Sequence, residues 1–251
     1  MAPLCYRRHR FPPEIIQHAI WLYLRFTLSY RDVEELLAER GLDISYETVR
    51  RWVLKFGPAI ARRLRRRDVG LDTHIADVAN LMIWENLRDV VLVGHSYGGV
   101  VVRHVADRMP NRIRSLVYLD AFVPENGKAL FDYLPDKGES DRKLAVAHGD
   151  GWKTPPRTAS FFGVNAADAD WVDRQCTMHP LSSFEAPGQI SGACADIANI
   201  GYILATGFDS PFGQFYAKAG ERRWWREELA CGHDVMLDMP NELTALLLQR
   251  A

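Results

Sequence analysis

The sequence predicts an α/β domain that is preceded by an all-α segment. Residues 1–67 carry three apolar patterns at helical spacing, whereas residues 68–251 alternate short β-branched runs with helical patterns. The charge divides at the same place. The first 67 residues hold 14 basic and 7 acidic side chains, a net of +7, and the rest hold 17 and 25, a net of −8. We therefore place a domain boundary between Arg67 and Asp68.

The composition excludes several classes of protein. Of the 251 residues, 47% are hydrophobic and 25% are charged, which is typical of a globular chain and not of a disordered or fibrous one. No apolar run reaches the roughly 18–20 residues of a membrane span, and no signal peptide is recognisable, so we expect a cytoplasmic protein with no membrane partner. Four cysteines show no metal-ligand spacing, so we expect free thiols and no metal: Cys5, Cys176, Cys194 and Cys231.

Three helices are predicted in the basic segment. The first begins at Pro12-Pro13, because proline is tolerated in the first turn of a helix. Ser29 caps the second helix, and Asp32, three residues later, completes a capping box. The third helix begins at Ser45 and is expected to end before Pro58, because proline disrupts a helix interior.

The second and third helices, joined by the turn at 41–44, have the order of a helix-turn-helix. Four side chains of the third helix would then face the major groove of DNA: Tyr46, Glu47, Arg50 and Arg51. The arginines at 62–67 would hold phosphates without reading the sequence. The alternative is a small helical bundle whose basic residues only face solvent.

Three stretches of this segment resemble the N-terminus of insertion-sequence transposases of the IS6 family. They are YRRHRFPPEII at 6–16, LSYRDVEELL at 28–37 and SYETVRRW at 45–52. In that family a metal-binding catalytic domain with carboxylate ligands follows, and nothing after Arg67 resembles it. The resemblance therefore implies a DNA-binding fragment in residues 1–67, fused to an unrelated domain, and not an active transposase.

The second segment contains a Gly-x-Ser-x-Gly pattern centred on Ser96. An apolar run, Val90 to Val93, leads into it, and a helical pattern follows. This order of strand, tight turn and helix is what a nucleophile elbow requires. We therefore assign Ser96 as a candidate nucleophile, with an ordinary turn as the alternative. A hydroxyl also needs a base to take its proton.

His233 is the candidate base, because it follows a short strand pattern and precedes a helical one near the end of the chain. Two carboxylates compete to orient it. Asp120 stands directly at the end of one strand, and Asp209 follows the next strand. Parallel strands end at the same edge of a sheet, so either could reach His233, with a slight preference for Asp120. The other histidines of this segment are interpreted as structural: His74, His95, His104, His148 and His179.

Residues 71–251 resemble the α/β-hydrolase superfamily, and within it small bacterial esterases related to plant methyl esterases and hydroxynitrile lyases. The motifs that carry the resemblance lie at 94–99, 117–124 and 231–237. It implies cofactor-free cleavage of small esters by Ser96, an acid and His233. Most such members use the position of Asp209 for the acid, and others use that of Asp120. Hydroxynitrile lyases have lysine after the triad histidine, whereas Asp234 stands here, which favours hydrolysis.

The same resemblance implies a partial fold, a parallel sheet that lacks its first strands, with a cap at about 125–195. Only a helical pattern separates residue 68 from the elbow strand. In this fold a loop among the missing strands supplies one backbone N–H to the oxyanion. Only the backbone N–H of Tyr97 would then remain as a donor. The loss of one donor typically lowers the rate by roughly 10²–10³. The sequence thus predicts a serine hydrolase of small esters with impaired activity. The alternative is a DNA-binding transposase remnant that carries an inactive hydrolase.

Overall fold

The computed structural model describes residue 6 and residues 9–26, 28–64 and 69–250. By its contacts the chain divides into two compact units, Met1–Arg67 and Asp68–Ala251. Cys5, the arginines at 65–67 and Asp68 lie outside the described residues.

The first unit is built from three helices: α1 (Pro13–Phe26), α2 (Tyr30–Ala38) and α3 (Tyr46–Leu64). The predicted capping box at the start of α2 is confirmed. The Ser29 N–H donates to Oδ2 of Asp32 at 2.7 Å, and the Asp32 N–H donates to Oγ of Ser29 at 3.2 Å. One apolar cluster fills the space between the helices, with these residues at its centre: Ile16, Ile20, Val33, Leu37, Val49, Trp52 and Phe56.

The predicted end of α3 before Pro58 is wrong, because the helix continues through this proline to Leu64. Proline removes one helical hydrogen bond and crowds the Cβ of the residue before it. Here that residue is Gly57, which has no Cβ to clash. One turn further on, Ile60 is buried in the cluster of the first unit. This burial continues the apolar face of the helix and offsets the missing bond.

The second unit alternates strands and helices. Its strands are β1 (Val90–Ser96), β2 (Ile113–Ala121), β3 (Lys153–Thr154), β4 (His179–Pro180), β5 (Asn199–Ala205) and β6 (Trp225–Leu229). Its α-helices are α4 (Leu71–Trp84), α5 (Gly98–Arg108), α6 (Pro135–His148), α7 (Ala169–Gln175), α8 (Ser182–Glu185), α9 (Gly213–Glu221), α10 (Val235–Asp238) and α11 (Pro240–Arg250). No helix in the described ranges is long and apolar enough to cross a membrane.

Four of these strands form one parallel sheet in the order β1-β2-β5-β6. An apolar layer covers each face: Leu116, Tyr118 and Tyr202 lie in one, and Val117 and Ile203 lie in the other. In the described part of the chain, β1 stands at one edge of the sheet and no strand precedes it. The two short strands, β3 and β4, pair antiparallel within the predicted cap, which otherwise consists of helices and loops.

The turn between β1 and α5 places Ser96 in a strained conformation, with φ at +53°. Such a turn requires small neighbours. A Cβ on Gly94 would lie 2.3 Å from the Val102 side chain, and one on Gly99 would lie 2.3 Å from the Phe122 carbonyl oxygen. At Gly98, by contrast, a Cβ would meet no atom within 4 Å. The predicted order of strand, turn and helix is therefore confirmed.

This difference between neighbouring glycines gives a stability prediction. We expect Gly99→Ala to lower the free energy of unfolding by about 1–3 kcal/mol, because the new methyl group meets rigid backbone. In a unit of this size that loss lowers the melting temperature by roughly 2–10 °C. Gly98→Ala is the matched control, and it should leave thermal unfolding unchanged or slightly raise its midpoint. Equal melting temperatures for the two variants would contradict the close approach at Gly99.

Candidate active site

Ser96 is the last residue of β1 and lies two residues before the start of α5. The next residue, Tyr97, is the N-cap of α5. Backbone N–H groups at a helix N-terminus lack acceptors within the helix and attract negative charge. The backbone N–H of Tyr97 is therefore suited to a developing oxyanion beside Ser96.

Asp120 and His233 form a buried pair at the same edge of the sheet. Nδ1 of His233 donates to Oδ2 of Asp120 at 2.6 Å, and both side chains are almost completely buried. The other carboxylate oxygen accepts the N–H of Ala205 at 3.2 Å. Burial raises the pKa of Asp120, and the hydrogen bonds from His233 and Ala205 oppose that rise. The bond fixes the proton of His233 on Nδ1 and leaves Nε2 as the basic nitrogen.

Aromatic rings enclose the imidazole of His233. Phe162 and Phe212 stack on it with ring centroids 5.0 and 5.2 Å away, and Phe208 lies at 5.3 Å. The His233 N–H also donates to the Phe162 carbonyl oxygen at 2.8 Å. Nε2 of His233 is buried and has no hydrogen-bond partner among the described residues. The ring is thus held in place while its basic nitrogen stays unengaged.

Asp209, the competing acid, occupies a different environment. It is exposed and lies on the wall of the cavity that also contains Ser96 and His233. Of the two carboxylates, Asp120 is therefore the one that contacts His233. The ends of the strands alone could not separate the two, because both follow neighbouring strands.

His95 also contacts the candidate base. Its Nε2 donates to the backbone carbonyl oxygen of His233 at 3.0 Å, and the two rings lie 4.3 Å apart. Burial, and then the neighbouring His233, lowers the pKa of His95 to about 3. The ring is therefore neutral at pH 7, so its contact with Asp234, at 3.8 Å, is not an ion pair there.

A cavity of about 550 Å³ joins these groups. Ser96 and His233 stand on its wall, and most of the other side chains are apolar, with the aromatic ones as follows: Tyr97, Phe122, Phe161, Phe162, Phe184, Phe208 and Phe212. Residues from the region of the predicted cap, 125–195, supply many of them. Such an apolar cavity with few polar groups suits a small organic substrate.

The sequence reasoning missed several polar groups on this wall. Lys137, Arg157 and His179 all line the cavity and all come from the cap. The sequence predicts a structural role for His179. Its Nε2 shares a hydrogen bond of 2.6 Å with Oγ of Ser183, and burial lowers its pKa to about 4. The spacing of Lys137 and Asp141, four residues apart on α6, was the one available signal.

The four side chains assigned to DNA contact do gather at the start of α3. Arg50 pairs with Glu47 through two bonds of 3.0 Å, and Arg51 lies 3.7 Å from the same carboxylate. Tyr46 is exposed, and the Arg31 guanidinium lies 5.5 Å from its ring. Glu47 thus partly neutralises both arginines.

The described cysteines, Cys176, Cys194 and Cys231, are free thiols.

The parallel sheet, the serine on a strained strand-to-helix turn and the buried Asp-His pair together define an α/β domain with a hydrolase-type site. A family model described as the alpha/beta hydrolase family matches residues 18–246. The chain therefore belongs to the α/β-hydrolase family.

Two kinds of curated relative resemble this chain. A carbendazim hydrolyzing esterase from Nocardioides sp. (strain SG-4G) is 40% identical over 229 residues, which cover 87% of this chain and 92% of the esterase. A transposase for the insertion sequence-like element IS431mec from Staphylococcus aureus is 44% identical over 55 residues, which cover 22% of this chain and 25% of the transposase. The family and esterase matches both extend into residues 1–67, where the described residues form helices.

Among solved structures, an extracellular α/β-hydrolase from a Paenibacillus species has a TM-score of 0.64 and 20% sequence identity. The likeness covers 74% of this chain and 82% of that one. At this identity the comparison shows the fold, in agreement with the family.

Proposed function

We propose that this chain is a serine hydrolase that acts on small carboxylic esters. The observation that carries the proposal is the buried 2.6 Å bond between His233 and Asp120, on the wall of an apolar cavity that also contains Ser96. The esterase activity in the name of the Nocardioides relative supports the same reaction class.

In this mechanism Ser96 Oγ attacks the ester carbonyl while Nε2 of His233 takes its proton. Asp120 holds the imidazole with Nδ1 protonated and stabilises the cation that forms. His233 then gives the proton to the leaving alcohol, and an acyl-enzyme remains. Water, activated by His233, hydrolyses this intermediate and restores Ser96.

The backbone N–H of Tyr97 serves as one oxyanion donor in this mechanism. We further propose that the sheet lacks the first strands of the fold, since β1 is its edge and the described residues before it are helical. The loop that would carry the second donor is then missing as well. One absent donor lowers kcat by roughly 10²–10³, so we expect slow turnover.

Covalent labelling by a fluorophosphonate probe tests the nucleophile. The wild-type protein should be labelled, and Ser96→Ala should not, because the probe bonds only to an activated serine hydroxyl. Ser140→Ala is the control, since Ser140 is exposed on α6. Circular dichroism on the same samples verifies folding, and hydrolysis of 4-nitrophenyl acetate and of carbendazim gives the matching activity. Labelling that survives in Ser96→Ala would remove Ser96 from the mechanism.

The choice of acid is tested by two isosteric changes. Asp120→Asn should lower kcat by roughly 10²–10⁴, because an amide can no longer favour the correct tautomer of His233 or stabilise its cation. Asp209→Asn should change kcat by less than about threefold, because Asp209 is exposed and does not hold the imidazole. Steady-state kinetics on a chromogenic ester separates the two. The reverse pattern would assign the role to Asp209.

A second candidate function is DNA binding by residues 1–67. The observation in its favour is the 44% identity to the transposase over 55 residues, together with the exposed basic start of α3. This function would need no catalytic competence in the second unit, which would then be an inactive passenger.

Salt-dependent binding to duplex DNA tests this second function. Arg50→Ala with Arg51→Ala should weaken binding and lower the slope of affinity against salt by about 1 per lost phosphate contact. Glu47→Gln should strengthen binding, because Glu47 holds both arginines. Lys143→Ala, in the second unit, is the control. If the wild-type chain binds no DNA even at low salt, residues 1–67 have no such function.

A further inference from the structure

The cap places a cluster of three charged side chains against the wall of the cavity. Asp141 of α6 is 1% exposed, and two cations share its carboxylate. Lys137 contacts Oδ2 from one turn earlier on the same helix, and Nη2 of Arg157 donates to Oδ1 at 2.8 Å. Two positive charges therefore face one negative charge.

Both cations also reach the cavity. Lys137 and Arg157 are among its lining residues, and their side chains remain 30% and 31% exposed. Asp141 is not part of the lining, because it lies beneath them. A ligand would therefore meet an ammonium and a guanidinium group and not the carboxylate that partly neutralises them.

The aromatic surroundings of the cluster hold Lys137 at this place. Its Nζ lies 5.2 Å from the ring of Phe184 and 5.9 Å from that of Phe131. The Arg157 guanidinium lies 5.8 Å from the ring of Phe161. Phe184 and Phe161 themselves line the cavity. The cations are thus set into an apolar wall, where an electrostatic interaction with a ligand is screened less than in water.

The wall of the cavity also contains His179 and Asp209. His179 is neutral at pH 7, because burial and the nearby His74 and Lys137 lower its pKa to about 4. Asp209 is exposed, and in the described ranges it forms no ion pair with Lys137 or Arg157. Within the cluster itself, the two cations Lys137 and Arg157 share the single carboxylate of Asp141. Burial lowers the pKa of Lys137, and its hydrogen bond with Asp141 opposes that shift.

We propose that Lys137 and Arg157 make this cavity selective for esters that carry a carboxylate away from the scissile bond. The aromatic walls bind the body of the substrate, and the cationic pair binds its anionic group. A carboxylate oxygen that accepts from an ammonium or guanidinium group makes a charge-assisted hydrogen bond, which is stronger than a neutral one. This inference rests on the proposed esterase function for the reaction, but the binding preference itself needs no catalysis.

Calorimetric titration of the full-length Ser96→Ala variant tests the preference without turnover. The two probes are 4-phenylbutyrate and its neutral isostere, 4-phenylbutanamide. We expect the carboxylate to bind about tenfold more tightly than the amide, which corresponds to one charge-assisted hydrogen bond. A several-fold rise in salt concentration should weaken binding of the carboxylate and leave that of the amide unchanged.

Substitutions then assign the preference to the cluster. In the Ser96→Ala background, Lys137→Met should reduce the preference to less than about threefold, and Lys137→Arg should restore it. Lys143→Met is the matched control, because Lys143 is an exposed lysine of the same helix that pairs with Glu139. Circular dichroism identifies any variant that fails to fold. In that case the salt dependence of carboxylate binding by the Ser96→Ala protein alone tests the proposal.

Two results would overturn the proposal. One is equal affinity for the carboxylate and the amide, and the other is a preference that survives in folded Lys137→Met and Arg157→Met. Kinetics with wild-type protein separates this failure from that of the esterase function. Mono(4-nitrophenyl) adipate should then be a better substrate, by kcat/KM, than 4-nitrophenyl heptanoate. If neither ester is hydrolysed while the carboxylate still binds selectively, the catalytic proposal fails and the binding proposal stands.

Discussion

The bond between Nδ1 of His233 and the carboxylate of Asp120 is the interaction on which the arrangement of the cavity depends. Asp120 is completely buried, and a buried charge without partners is very costly. The carboxylate therefore needs both the imidazole and the N–H of Ala205. These donors come from the loop after β6 and from the end of β5, so the pair joins three parts of the sheet at one edge. Loss of either donor would leave the carboxylate short of a partner.

Phe162, from the region of the predicted cap, also contacts His233. Phe162 accepts the backbone N–H of His233 and also stacks on its ring. A displacement of Phe162 would therefore remove two contacts of the His233 ring and backbone. Phe162 thus links the region of the predicted cap to the candidate base through both a backbone bond and a ring contact.

The sequence predicted the parts of the site that local pattern determines. Ser96 was identifiable because a strained turn between strand and helix demands glycine neighbours, and His233 because of its place between a strand and a helix. The choice between Asp120 and Asp209 stayed open, since it depends on a distance between segments far apart in the chain. The position of Lys137 and Arg157 in the cavity was missed for the same reason, because Arg157 binds Asp141 across a separation of 16 residues in the sequence. The predicted end of α3 before Pro58 was wrong, because the burial of Ile60 outweighs the low helix propensity of proline.

Because β1 is an edge strand, the turn that follows it has a neighbouring strand on one side only, whereas a strand inside a sheet has one on each side. In the described chain β1 is bonded to β2 alone, and its register shifts between His95 and Ser96, where the strained turn begins. A positive φ at a non-glycine residue persists only when the surrounding structure enforces it. Here the enforcement comes from one side of the strand, through the ladder to β2 and the close packing of Gly94 on α5. In the described chain the turn at Ser96 is thus supported by α5 and by one neighbouring strand.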